Sequence, residues 1–126
     1  MASRRPALSR DELAVLAQPI LLALDSGQQP DAAALKVLVK ELAAFVADKH
    51  PGRTVEVRIP PYTAVQCIAG PRHTRGTPPN VVESEAVSWV LLCTGRCSWQ
   101  ELVRTGRISA SGERSDLSGL FPLVQD

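Results

Sequence analysis

The chain has 126 residues, 44% of them hydrophobic, with 14 Lys plus Arg against 13 Asp plus Glu. That length makes one domain with a real core, and a net charge of +1 excludes the global basicity of a dedicated nucleic-acid binder. No basic leader with an apolar stretch opens the chain, and no apolar run approaches the ~20 residues that span a bilayer, so a soluble cytoplasmic protein is expected.

In chain order, residues 1–8, with Arg4, Arg5 and Pro6, read as a loose basic tail. Ser9 and Glu12 form a capping box that starts a helix bearing Leu13, Leu16, Ala17, Ile20, Leu21 and Leu24. Pro19 lies inside that run and removes a ladder hydrogen bond, which predicts a kink or two short helices. Asp31 caps a second helix with an apolar stripe of Leu35, Leu38, Val39, Leu42, Phe45 and Val46, and His50-Pro51-Gly52 stops it.

From Arg53 the period changes to two. Val55, Val57 and Ile59 alternate with Glu56 and Arg58 in a half-buried strand, and Pro60-Pro61 leads to a second strand over 62–68 that pairs antiparallel with it. A third strand covers 80–83. Ser84-Glu85 caps a helix bearing Val87, Trp89, Val90 and Leu91, and Ser98 caps another through Trp99, Leu102 and Val103. A fourth strand covers 107–111, and Ser115-Asp116 starts a final helix with Leu117, Leu120 and Phe121. The fold class is α+β in a single domain over 1–126, with a helical part over 9–50 and the sheet with its covering helices over 53–124.

Between the second and third strands, Gly70-Pro71-Arg72-His73-Thr74-Arg75-Gly76-Thr77-Pro78-Pro79-Asn80 is too rich in Gly and Pro for helix or central strand. Arg72 and Arg75 can grip a carboxylate or phosphate bidentately, with His73 as a further donor and the amides around Gly76 and Thr77 completing a nest. Alternatively, both Arg pair with Glu83 or Glu85 and clamp the loop to the domain. Asn80 ties the loop through its side-chain amide.

The three cysteines, Cys67, Cys93 and Cys97, are an odd number in or beside apolar stretches and read as buried thiols of a reducing compartment. The candidates for a thiol-dependent enzyme are His73 and His50 with Cys67, Cys93 or Cys97; His73 lies six residues beyond Cys67, and the Arg neighbours would lower that thiol's pKa. Cys93-x-x-x-Cys97 with His73 makes a poorly spaced metal set. No catalytic residue, metal or cofactor is therefore expected.

The stretch from Trp89 through Leu120 resembles the closing half of the sterol-carrier-protein-2 family, with a helix, a Gly-led strand ending in Gly112, and a Leu-bearing helix. Residues 55–123 also resemble a small actinobacterial branch of sterol-carrier-like proteins, through Pro60-Pro61, Val65-Gln66-Cys67 and the Gly70 to Asn80 run. The resemblance implies a curved, mostly antiparallel sheet of about five strands covered by helices, and an apolar tunnel that in relatives holds sterols, fatty acids or acyl chains. Phe45, Val65, Trp89, Leu92, Leu102, Val103, Leu117 and Phe121 would line such a tunnel, where each buried methylene contributes roughly 0.8 kcal/mol. The same residues equally make a packed core.

The implied function is non-catalytic binding or carriage of a hydrophobic or amphipathic small molecule, its polar end held by Arg72, His73, Arg75, Thr77 and Asn80. The alternative is an interaction or anion-binding module with a filled core.

Overall fold

The computed structural model describes residues 6–70 and 80–125. Helix α1 spans Arg10–Asp25, and its capping box forms as the sequence predicts. The Ser9 hydroxyl accepts from the Glu12 N–H at 3.1 Å, and the Glu12 carboxylate accepts from the Ser9 N–H at 2.9 Å, which holds that carboxyl below its ordinary pKa. α1 is one continuous helix through Pro19 rather than two short helices. Pro19 and Val15, whose carbonyl it leaves without an N–H, are both on the exposed side of the helix.

Helix α2, Ala32–Lys49, begins where the Asp31 carboxylate accepts from the Ala34 N–H at 2.9 Å and buries Leu35, Leu38, Val39, Leu42, Ala43, Phe45 and Val46. Strands β1, Val55–Ile59, and β2, Thr63–Cys67, form an antiparallel hairpin with Val57 opposite Val65. Strand β3, Val81–Ser84, pairs parallel to β1, and strand β4, Ile108–Ser111, pairs antiparallel to β3. Helices α3, Ala86–Cys93, and α4, Trp99–Arg104, fill the β3 to β4 connection.

The described residues thus hold a four-stranded mixed sheet in the order β2-β1-β3-β4, in place of the expected five-stranded, mostly antiparallel curved sheet. Chain direction explains the parallel pair. β2 runs back to the end of the sheet where β1 begins, and β3 starts from that same end on the other side of β1.

The final helix expected from Ser115 is a 3-10 turn over Ser118–Leu120. Asp116 takes the Ser118 N–H on its own carboxylate at 3.0 Å, a local alternative to helical pairing that also lowers its pKa. Pro122 then forces Phe121 into extended backbone. Leu123 and Val124 both donate their N–H to the Cys93 carbonyl, and Arg10 gives its Nε–H to the Leu123 carbonyl at 3.0 Å, so the C-terminal segment joins α3 to α1.

One contiguous core runs from Leu13 in α1 to Val124, with the inward sheet residues Val55, Val57, Ile59, Cys67, Val82 and Ile108 at its base. Leu8, placed by sequence in a loose tail, packs against that core. The opposite sheet face carries Gln66, Glu83, Ser109 and Ser111, all exposed, and an ion pair between Glu56 and Arg58. No helix among the described residues is long and apolar enough to cross a membrane.

Candidate functional site

The geometry around the long loop starts at Thr54, the residue before β1. The loop leaves β2 through Ile68, whose φ of 72° is unusual for a β-branched side chain. Ile68 is held there by its N–H to the His50 carbonyl at 2.7 Å and by its carbonyl accepting from the Thr54 N–H at 3.2 Å. Gly70 passes so close to Thr54 that a Cβ on it would lie 2.5 Å from the Thr54 hydroxyl oxygen.

The loop returns at Asn80. Its buried side-chain amide donates to the Thr54 carbonyl at 2.9 Å and accepts from the Arg114 N–H at 2.9 Å, while its own carbonyl accepts from the Glu56 N–H. Both described ends of the loop therefore meet on one residue. Asn80 ties the loop through its amide, as its chemistry predicts. Arg72, His73, Arg75 and Thr77 lie outside the described residues. Glu85 has another cation, the Arg107 guanidinium at 3.5 Å.

Beside Thr54 opens a groove of about 560 Å³ between the last two turns of α2 and strand β2. Its walls are Ala44 and Ala47 of α2 against Ala64 and Val65 of β2, with Ala7 alongside. The groove has a direction. The His50 to Ile68 hydrogen bond puts the end of α2 next to the end of β2, so Asp48, Gly52, Arg53 and Gln66 gather at that end and Ala44 and Ala64 lie away from it. Arg53 is held over the strand by its Nε–H to the Gln66 side-chain oxygen at 3.1 Å. Small side chains line both walls, and the Arg53 guanidinium and the Asp48 carboxylate stand at one end.

Of the residues considered for a tunnel, Phe45, Trp89, Leu92, Leu102 and Leu117 are all buried in the contiguous core. Phe45 is further covered by the Arg10 guanidinium, 5.1 Å from its ring centre, and the Lys49 ammonium at 5.6 Å. Val65 is half-buried and lines the α2/β2 groove, and Val103 is 38% exposed. Leu92 and Phe121 line a second groove of about 250 Å³ with Trp99, where Phe121 meets Trp89 edge-on at 5.7 Å and stacks on Trp99 at 6.2 Å.

Cys67 and Cys93 are buried and Cys97 is half-buried. Burial pushes the Cys67 thiol up to about 11 and raises that of Cys93 as well, the reverse of the lowering that Arg neighbours would bring. No group of three metal-ligating side chains occurs among the described residues.

The groove residues Ala44, Ala47, Arg53, Ala64 and Gln66 escape a reading of the sequence. Half-exposed alanines carry no periodic signal, and the only hint is the Ala43-Ala44 and Ala47 spacing on one side of α2.

No curated protein matches the chain at a significant level. A family model described as a bacterial SCP ortholog, SCP standing for sterol carrier protein, matches residues 31–123. That span takes in α2, the whole sheet, the long loop and the C-terminal turn, and leaves out α1. The chain belongs to this sterol-carrier-protein-like family.

Proposed function

We propose that the protein binds an amphiphilic small molecule without transforming it, and carries it with the apolar part in the α2/β2 groove. The observation that carries this reading is the polarity of the groove, alanine-walled along its length and polar at the end where Arg53, Gln66 and Asp48 stand. Membership of a carrier family supports it. Arg72, His73, Arg75 and Thr77 complete the polar end in this reading, because Gly70 and Asn80 both meet Thr54, the neighbour of groove-lining Arg53. A cytoplasmic setting, in keeping with the unpaired cysteines, belongs to the same proposal.

A second reading, an anion-binding module with a filled core, is favoured by the close packing of Phe45, Trp89, Leu92, Leu102 and Leu117. It keeps the Arg loop and dispenses with the apolar slot.

Titration with saturated fatty acids of increasing length separates the two. A chain entering the slot gains roughly 0.8 kcal/mol per methylene, about four-fold in affinity, until the groove is full. Ala47→Trp, which fills the groove from α2, removes that dependence. A flat series in the wild-type protein rejects carriage. Loss of binding in Arg72→Ala/Arg75→Ala with an unchanged melting temperature supports the loop as the polar end, whereas a large drop in melting temperature assigns it to clamping.

A further inference from the structure

The groove is walled by three successive residues of one strand, Ala64, Val65 and Gln66. Side chains of successive strand residues point to opposite faces, so a groove touching all three runs along the strand's edge and meets its backbone. β2 is an edge strand, and among the described residues β1 is its one partner.

The direction of the backbone groups follows from β1. The Glu56 N–H goes to the Asn80 carbonyl on the β3 side. N–H and C=O groups alternate sides along a strand, so those of Val57 face β2, where the residue opposite is Val65. Val65 therefore spends its backbone groups on β1. The N–H and C=O groups of Ala64 and Gln66 face outward, into the groove.

A bare alkyl chain laid there strips water from these donors and acceptors and returns nothing, which costs free energy for each group left unpaired. An extended amide backbone returns the hydrogen bonds by strand addition. Resting on the reading of this groove as an amphiphile site, we infer that its ligand is an amide-bearing amphiphile, an N-acyl peptide. The peptide part pairs with Ala64 and Gln66. The acyl chain continues past Ala44, and the terminal carboxylate lies at Arg53, so that the ligand runs parallel to β2.

The test compares N-decanoyl-trialanine with decanoate by calorimetry on the full chain. Two recovered backbone hydrogen bonds predict affinity about ten-fold or more above decanoate for the acyl peptide. N-methylation of the amides that face β2 should remove that gain, and methylation of the alternate amide should leave it.

Ala64→Pro supplies the protein-side test. Its missing N–H is one that faces away from β1, so the sheet retains its pairing while the ratio of acyl-peptide affinity to decanoate affinity in the variant falls towards one. If that variant does not fold, the N-methyl series still decides. Equal affinity for acyl peptide and decanoate, or indifference to methylation, overturns the peptide assignment and leaves the amphiphile reading standing. Failure of both ligands to bind overturns that reading too.

Discussion

Asn80 and Thr54, 26 residues apart, are joined by a buried hydrogen bond from the Asn80 side-chain amide to the Thr54 carbonyl, and that bond sets where the long loop begins and ends. The same amide takes the Arg114 N–H on its oxygen, so one side chain holds the start of β1, the start of β3 and the segment after β4. Asn80→Ala leaves a buried carbonyl and a backbone N–H without these partners, at a cost of about 1–3 kcal/mol. Asn80→Asp keeps the acceptor for Arg114 but sets a carboxylate against the Thr54 carbonyl. It is expected to be worse than Ala at neutral pH and to recover as acid protonates it. Urea denaturation of the two variants at neutral and acid pH checks this order, and equal stabilities throughout would remove the amide from its tying role.

The turn from α2 into β1 depends on Gly52. Its φ is 151°, and a Cβ there would lie 1.9 Å from the Ile68 carbonyl oxygen, a backbone atom that cannot swing aside. Gly52→Ala is expected to cost about 3 kcal/mol or more. Gly27 provides the control: its φ is 70°, but nothing lies within 4 Å of an added Cβ, so Gly27→Ala pays only for the left-handed backbone, about 1 kcal/mol. Thermal melts of the two variants should differ by several degrees, and similar losses would show that close approach to Ile68 is not what requires Gly52.

Much of this fold is legible in the residues themselves. Ser9 with Glu12, Asp31 and Ser98 each announce a helix by chemistry that needs only near neighbours, and all three side chains accept the N–H that this chemistry predicts. The alternation of Val55, Val57 and Ile59 likewise marks the inner face of β1. What stays hidden is long-range. Nothing in the composition of β3 says that it lies parallel to β1, because that follows from the side of the sheet on which β2 ends. The final helix fails for a local reason, since Asp116 and Pro122 compete with helix from both ends of a short apolar run. The groove is hidden too, because Ala44 and Ala64 matter there by being small and Arg53 by standing next to Thr54.

Burial of Cys67 carries a consequence for alkaline stability. An unperturbed thiol titrates near 9.0, and the folded one near about 11. Between those values the unfolded chain releases its proton first, so stability falls as pH rises through the window and is unaffected below it. The two-unit gap corresponds to about 2–3 kcal/mol at its upper end. Cys67→Ala is expected to flatten part of this decline, Cys93 contributing in the same direction. Urea midpoints measured from pH 8 to pH 11 check it, and an unchanged slope in the variant would assign the decline to other groups.

Reactivity should follow burial. Cys97 is half-buried while Cys67 and Cys93 are fully enclosed, so a disulfide reagent added to the native protein at neutral pH is expected to modify Cys97 first. The other two should react only at the rate of opening of the fold. Peptide mapping after a short exposure identifies the labelled site, and early modification of Cys67 would show that the β2 edge opens without global unfolding, a result that also bears on access to the groove.

Pro19 offers a stabilising change. It sits mid-helix on the exposed side of α1, where it withholds an N–H from the Val15 carbonyl, yet the helix runs through it without a break. Pro19→Ala restores that bond and a better helix former at a position where the side chain contributes little burial. A gain of about 1–3 kcal/mol is expected, up to the full cost of an interior proline. α1 joins the core through Leu13, Ala17, Ile20 and Leu21, so the gain should appear as a higher melting temperature of the whole chain in a single transition. No gain would mean that the helix has adapted around the proline so closely that the restored N–H finds no carbonyl within reach.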